Sequence, residues 1–175
     1  MKKISAILAI SLTIVGCYKP PNFEQIKSNF FSNRNSFEKL HAMILEDAGA
    51  RSRSFAVGTD HIGDYWEFNG KWSHSDHYEN KMSLDEVLND VGITKARYDQ
   101  YLALFKIIGA ERITYWSKPG ITEILIYRSG ICVSGSSTTI NINNDGSIPS
   151  SDIQKSYSTE ITPIIDGWYI SHDCT

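Results

Sequence analysis

Between Asn22 and Asp47, apolar residues recur at Phe23, Ile26, Phe30, Phe37, Leu40 and Ile44, spacings of three, four and seven that place them on one helical face. The polar run from Asn33 to Ser36 interrupts this stripe. The pattern therefore predicts one bent helix or two in sequence, with Asn35 or Ser36 capping the second and Gly49 ending it. From Arg53 to Ser73 the period shortens to two, with Phe55 and Val57, then Tyr65, Trp66 and Phe68, then Trp72, and short strands are expected. Asn69 and Gly70 form the dipeptide that most readily takes the positive φ angles of a tight turn, which predicts a hairpin over residues 64–74.

Ser83 and Glu86 read as a capping box before Val87 and Leu88, with Gly92 ending that short helix. Thr94 starts the next helix, in which Tyr98, Tyr101, Leu102, Phe105 and Ile108 follow at helical spacing until Gly109. Beyond Gly109 the chain is strand-like over 112–116, 121–127, 131–133, 138–142, 157–161 and 168–172. Turn residues punctuate it: Lys118, Pro119 and Gly120, then Ser129 and Gly130, then Asn144, Asp145 and Gly146, then Asp166 and Gly167. Residues 147–155 read as a loop. The expected fold is a single α+β domain over residues 23–175: N-terminal helices and a hairpin, two central helices, then an antiparallel meander sheet.

The 175 residues include 41% hydrophobic and 21% charged positions, a composition that excludes a disordered, collagenous or coiled-coil chain. The formal charge of −3 and the lack of any Lys/Arg cluster exclude nucleic acid as the expected partner.

The N-terminus carries an address. Lys2 and Lys3 precede thirteen uncharged residues from Ile4 to Gly16, short of the roughly twenty needed to span a bilayer, so residues 1–16 are expected to be a secretory signal peptide. Ile14, Val15, Gly16 and Cys17 resemble the lipobox of bacterial lipoproteins, with Ile14 in place of the more usual Leu. The resemblance covers residues 1–17 only. It implies cleavage after Gly16, a diacylglyceryl group on the Cys17 thiol and acylation of the freed amine, so that the lipid bilayer is a partner through these acyl chains. Tyr18 stands where an Asp would resemble an inner-membrane retention signal, which points to the outer membrane, with the domain facing periplasm or exterior. Residues 17–22 are then a lipidated tether, its last five residues reaching at most about 18 Å. Loss of Lys2 and Lys3 takes the 17 basic residues to 15 against 20 acidic ones.

With Cys17 acylated, an oxidising envelope favours a disulfide between Cys132 and Cys174, worth about 3 to 4 kcal/mol by loop closure. The competing reading is a Cys132 nucleophile activated by His172. Three of the five histidines, His61, His74 and His77, lie near Asp60, Asp64 and Asp76, and His61, His74, Asp76 and His77 form a candidate zinc set. The spacing is not that of a metalloprotease helix, and a solvated polar loop explains the same residues, so no metal or other cofactor is expected. Asn141, Asn143, Asp145, Gly146 and Asp152 partly fit a calcium loop, although an Asn-rich turn gives the same residues. Ser134, Gly135, Ser136 and Ser137 with His172 and Asp173 lack the arrangement of a nucleophile elbow.

The aromatic and acidic ribbon supplies the better candidate for binding: Tyr65, Trp66, Glu67, Trp72 and Tyr78, some of which strand alternation must turn outward. The expected function is a membrane-anchored, non-enzymatic binding module for a protein or envelope component, such as an immunity or inhibitor lipoprotein. A metal-dependent envelope enzyme built on the 60–77 cluster and a structural envelope protein are the alternatives.

Overall fold

Helix α1 (Phe23–Ser32) starts where the Asn22 side chain accepts the backbone N–H groups of Glu24 and Gln25. The structure, a computed structural model, describes residues 22–49, 54–131, 134–149 and 158–174. The signal peptide, the lipobox with Cys17, the tether up to Pro21, Cys132 and Asp152 lie outside the described residues.

The N-terminal helical stretch is two helices, and the break sits at Asn33. Its backbone N–H donates to the carbonyls of Asn29 and Phe30, which closes α1 as α2 (Arg34–Ala48) begins. Neither Asn35 nor Ser36 caps α2. The Asn33 side chain is also occupied elsewhere, donating to Asn29 Oδ1, while the Asn29 amide donates to the Ile108 carbonyl at 2.7 Å. Of the stripe read from the sequence, Phe30, Phe37, Leu40 and Ile44 are fully buried, Ile26 is buried at 8% exposure and Phe23 is half-buried against the core.

Five short strands follow: β1 (Phe55–Gly58), β2 (His61–Ile62), β3 (Tyr65–Phe68), β4 (Lys71–His74) and β5 (His77–Met82). Asn69 and Gly70 join β3 to β4 with φ of 52° and 75°, the left-handed pair that a two-residue hairpin turn requires. Strand β5 carries no apolar alternation because it is an edge strand whose residues are exposed except for half-buried Met82. The capping box of Ser83 and Glu86 starts α3 (Leu84–Val91), and the Thr94 hydroxyl accepts the Arg97 N–H to start α4 (Lys95–Ile108).

The remaining strands are β6 (Arg112–Trp116), β7 (Ile121–Ile131), β8 (Ser134–Asn143), β9 (Ser158–Ile165) and β10 (Trp168–Cys174). Together the strands form one open antiparallel sheet of ten, in the order β5-β4-β3-β2-β1-β6-β7-β8-β10-β9. Ser129 and Gly130 do not make the turn expected of them. They continue β7, paired with Ser136 and Gly135 of β8. The meander also ends with an exchange, since β10 inserts between β8 and β9.

The sheet has chemically distinct faces. Val57, Ile113, Ile124, Ile140 and Ile170 form a continuous cross-strand row, buried with the apolar faces of the helices. Beneath it, Arg97 of α4 donates to the Asp47 carboxylate at 2.9 Å and to the Met43 carbonyl at 3.1 Å, and the buried Tyr101 hydroxyl donates to Asp47 at 2.7 Å. This cluster ties α2 to α4. Gly58, Arg112, Thr114, Trp116, Glu123 and Leu125 belong to the opposite face.

The expected disulfide is not formed: Cys174 is a free, exposed thiol. Its register explains why. Cys174 pairs with Ser136, whereas the β7–β8 ladder continues to Ile131 and Ser134. Ser134 therefore stands two residues, about 7 Å, farther along the strand than Ser136. That offset carries the residues flanking Cys132 away from Cys174, whose disulfide would need Cα atoms within about 7 Å. The Cys174 thiol instead lies 3.3 Å from His172 Nε2, while His172 Nδ1 is 2.8 Å from the Thr138 hydroxyl.

Candidate functional site

Strand alternation divides the aromatic ribbon as its pairing requires. Tyr65 and Trp72 turn into the core, 8% and 5% exposed, and the Tyr65 hydroxyl donates to Asp90 at 2.6 Å. Burial and this carboxylate push the Tyr65 phenol up to about 12, the hydrogen bond being the larger cause. Trp66 and Phe68 turn to the opposite face, 38% and 71% exposed, and Tyr78 on the edge strand is 65% exposed. The Glu67 carboxylate accepts the Gly70 N–H and holds the turn. Of the five residues proposed as a binding set, Trp66 and Tyr78 are thus on the surface, Glu67 braces the hairpin and the other two are core.

The histidines do not converge. His61 pairs across the ribbon with Trp66, whereas His74 shares the other face with Tyr65 and His77. The ring of His61 stacks on Trp66 at 3.9 Å, and His74 meets Tyr65 edge-on at 5.1 Å. Asp76 is exposed beyond them, its N–H donating to His74 Nδ1. Among the described residues, no group of three or more His, Cys, Asp or Glu side chains is disposed to hold a metal ion.

The calcium-like letters form a turn. Asn141 is buried with its amide on Thr139, Asn143 donates to the Ser147 carbonyl, and Asp145 accepts the Ser147 N–H. Ser134, Gly135, Ser136 and Ser137 are ladder residues of β8. Asp173 accepts from Thr159 and, one residue from His172, belongs to the other face of its strand.

A cleft of about 260 Å³ opens on the face opposite the helices, with Ala56, His61, Asp64, Trp66, Arg112, Thr114 and Trp116 among its walls. Local sequence explains its shape. Arg112, Thr114 and Trp116 alternate outward from β6, and His61 and Trp66 rise from β2 and β3. Between them the outward positions of β1 are only Ala56 and Gly58, which leaves a trough along the sheet. A Cβ at Gly58 would stand 3.0 Å from Cβ and Cγ of Arg112, so glycine clears the path for the Arg112 stem. The guanidinium reaches to 5.9 Å from the Trp66 ring centroid.

The electrostatics of the two neighbouring arginines differ. Arg128 is held by Asp60 at 2.7 Å and Glu111 at 2.8 Å. Arg112 has a cation–π contact with Trp66 but, among the described residues, no hydrogen bond or ion pair. His61 uses Nε2 on the Gly63 carbonyl and leaves Nδ1 buried without a partner among the described residues. Burial holds its pKa below the usual imidazole value, and Arg112 adds to that effect. Glu123, which faces Thr114 on the neighbouring strand, is raised by burial, with Arg112 opposing the shift.

Arg112, Thr114 and Trp116 were read from the sequence only as part of a strand. The alternation of a cation, a hydroxyl and an indole on one side of that strand was the available signal. No protein-family model matches the chain, and neither a curated protein nor a solved structure matches it. Among the described residues, no helix is long and apolar enough to cross a membrane.

Proposed function

We propose that the chain is a cell-envelope lipoprotein, anchored in the outer membrane by acyl chains on Cys17, whose domain acts as a non-enzymatic binding module facing periplasm or exterior. A partner protein or envelope component is its target, and an immunity or inhibitor role is one concrete form. The observation that carries the binding reading is the cleft: an arginine without an ion-pair partner among the described residues, over an indole and beside a second exposed indole, on the sheet face the helices leave free. Arg and Trp in such settings are frequent interface anchors. The separation of His61 from His74 and His77 gives the metal-enzyme alternative no support.

The test uses the full chain in its own envelope. Cys17→Ser should release the protein from membranes or accumulate precursor, and a wild type already soluble would overturn the anchoring. Pull-down from solubilised envelopes should recover a partner with wild type and with Lys39→Ala on the exposed side of α2, but not with Arg112→Gln or Trp116→Ala. Recovery unaffected by both cleft variants would overturn the binding surface.

A further inference from the structure

Three groups in the cleft ask for different things from a ligand. Arg112 presents a planar set of N–H donors with no acceptor among the described residues, its guanidinium carbon over the Trp66 ring at 5.9 Å. A guanidinium held this way is a receptor for a carboxylate, which it can bind through two parallel hydrogen bonds. Trp116, two positions past Thr114 on the same side of β6, is 43% exposed and supplies a ring face. Asp64, Thr114 and the neighbouring serines bring acceptors and hydroxyls rather than an apolar wall. A flat aromatic acid would leave those polar groups unmatched. A hydroxylated ring with an apolar C–H face satisfies both the indole and the hydrogen-bonding rim.

Arg112 is the one Lys or Arg among the described residues that line the cleft, and Asp64 on the same wall and Glu123 on the neighbouring strand offset part of its charge, so the site favours no more than one negative charge on the ligand, while about 260 Å³ suits one sugar ring rather than a folded segment. We infer that the cleft binds a singly charged sugar acid, a pyranose whose carboxylate pairs with Arg112 and whose ring lies on Trp116. This rests on the reading of the cleft as the binding surface and names its ligand class. The same chemistry occurs free or as a unit of an envelope glycan.

The experiment is titration of the purified full-length protein in detergent, followed by tryptophan fluorescence and calorimetry. The probes are D-glucuronate, methyl β-D-glucuronide, D-glucose and cyclohexanecarboxylate. Glucuronate should bind at least about tenfold more tightly than glucose, the scale of one charged hydrogen-bonding pair. It should also bind more tightly than cyclohexanecarboxylate, which has ring and charge without hydroxyls. Arg112→Gln should erase the preference over glucose, and Trp116→Ala should weaken both sugars, each with an unchanged circular dichroism spectrum. Equal binding of the methyl glycoside assigns a glycan-borne residue, and binding of the free acid alone assigns a soluble one.

No response to glucuronate, equal binding of glucose, or cyclohexanecarboxylate as tight as glucuronate would overturn the inference. If glucuronate fails while envelope-partner recovery still depends on Arg112, the sugar class falls and the binding-module reading stands. If both fail, both fall.

Discussion

Trp66 and Trp72 stand on adjacent strands of one hairpin and should answer truncation very differently. Trp72 is 5% exposed within the core. An aromatic side chain of its size buries up to about 250 Å², so removal forfeits about 6 kcal/mol at ~25 cal/mol per Å² measured against an extended chain. A compact denatured chain lowers this to about 4 kcal/mol, within the observed range for large aromatic deletions. Trp66 is 38% exposed, and its named contacts are the His61 stack and the Arg112 guanidinium. Those two contacts together are worth about 1 to 2 kcal/mol, and water fills the space left behind. Urea unfolding of Trp72→Ala and Trp66→Ala should therefore give losses of stability differing by at least about 2 kcal/mol, with equal m-values. Ligand or partner binding should fail only in the Trp66 variant under conditions where both are folded. Equal destabilisation, or binding lost with Trp72 and kept with Trp66, would refute the assignment of the two faces.

Asp47→Ala should cost about 2 to 3 kcal/mol, since it strands the buried Tyr101 hydroxyl and removes a partner of Arg97, and adding Tyr101→Phe should recover part of the loss in a double-mutant cycle. Burial depresses His41, so the unfolded chain takes up more protons as pH falls below about 6.5 and stability must drop there; His41→Gln should reduce the fall in melting temperature between about pH 7 and 5, part of which remains through the likewise depressed His61. Cys174 should be labelled by a thiol reagent in native protein, and Cys174→Ser should change stability by less than about 0.5 kcal/mol, whereas an unreactive thiol with a loss of several kcal/mol would restore the disulfide.

Local signals in this sequence were strong where a backbone group needed a particular residue. The Asn69–Gly70 turn, the Ser83–Glu86 capping box, and Gly92 and Gly109 at left-handed helix ends all formed as read. Strand β5 was missed because an exposed edge strand has no buried face to imprint alternation, and Ser129 and Gly130 misled because a ladder paired by its backbone tolerates turn residues. The exchange of β9 and β10 depends on long-range pairing, which no local pattern encodes. The candidate site was half legible. Trp66 belonged to the ribbon marked by its aromatics, but its partners are Arg112, Thr114 and Trp116, some fifty residues later and brought alongside by β1. The meaning of Gly58 emerges only from its register opposite Arg112.

The most direct test of the binding reading is site-specific photo-crosslinking in intact envelopes, with the photoreactive residue placed at Ser54 on the cleft wall, where Arg112 and Trp116 are left in place, and, in a separate variant, at Lys39 on α2. A discrete adduct is expected from position 54 that disappears when Arg112→Gln is added, and none from position 39. Adducts from position 39 alone, or adducts from position 54 indifferent to Arg112, would contradict the binding reading.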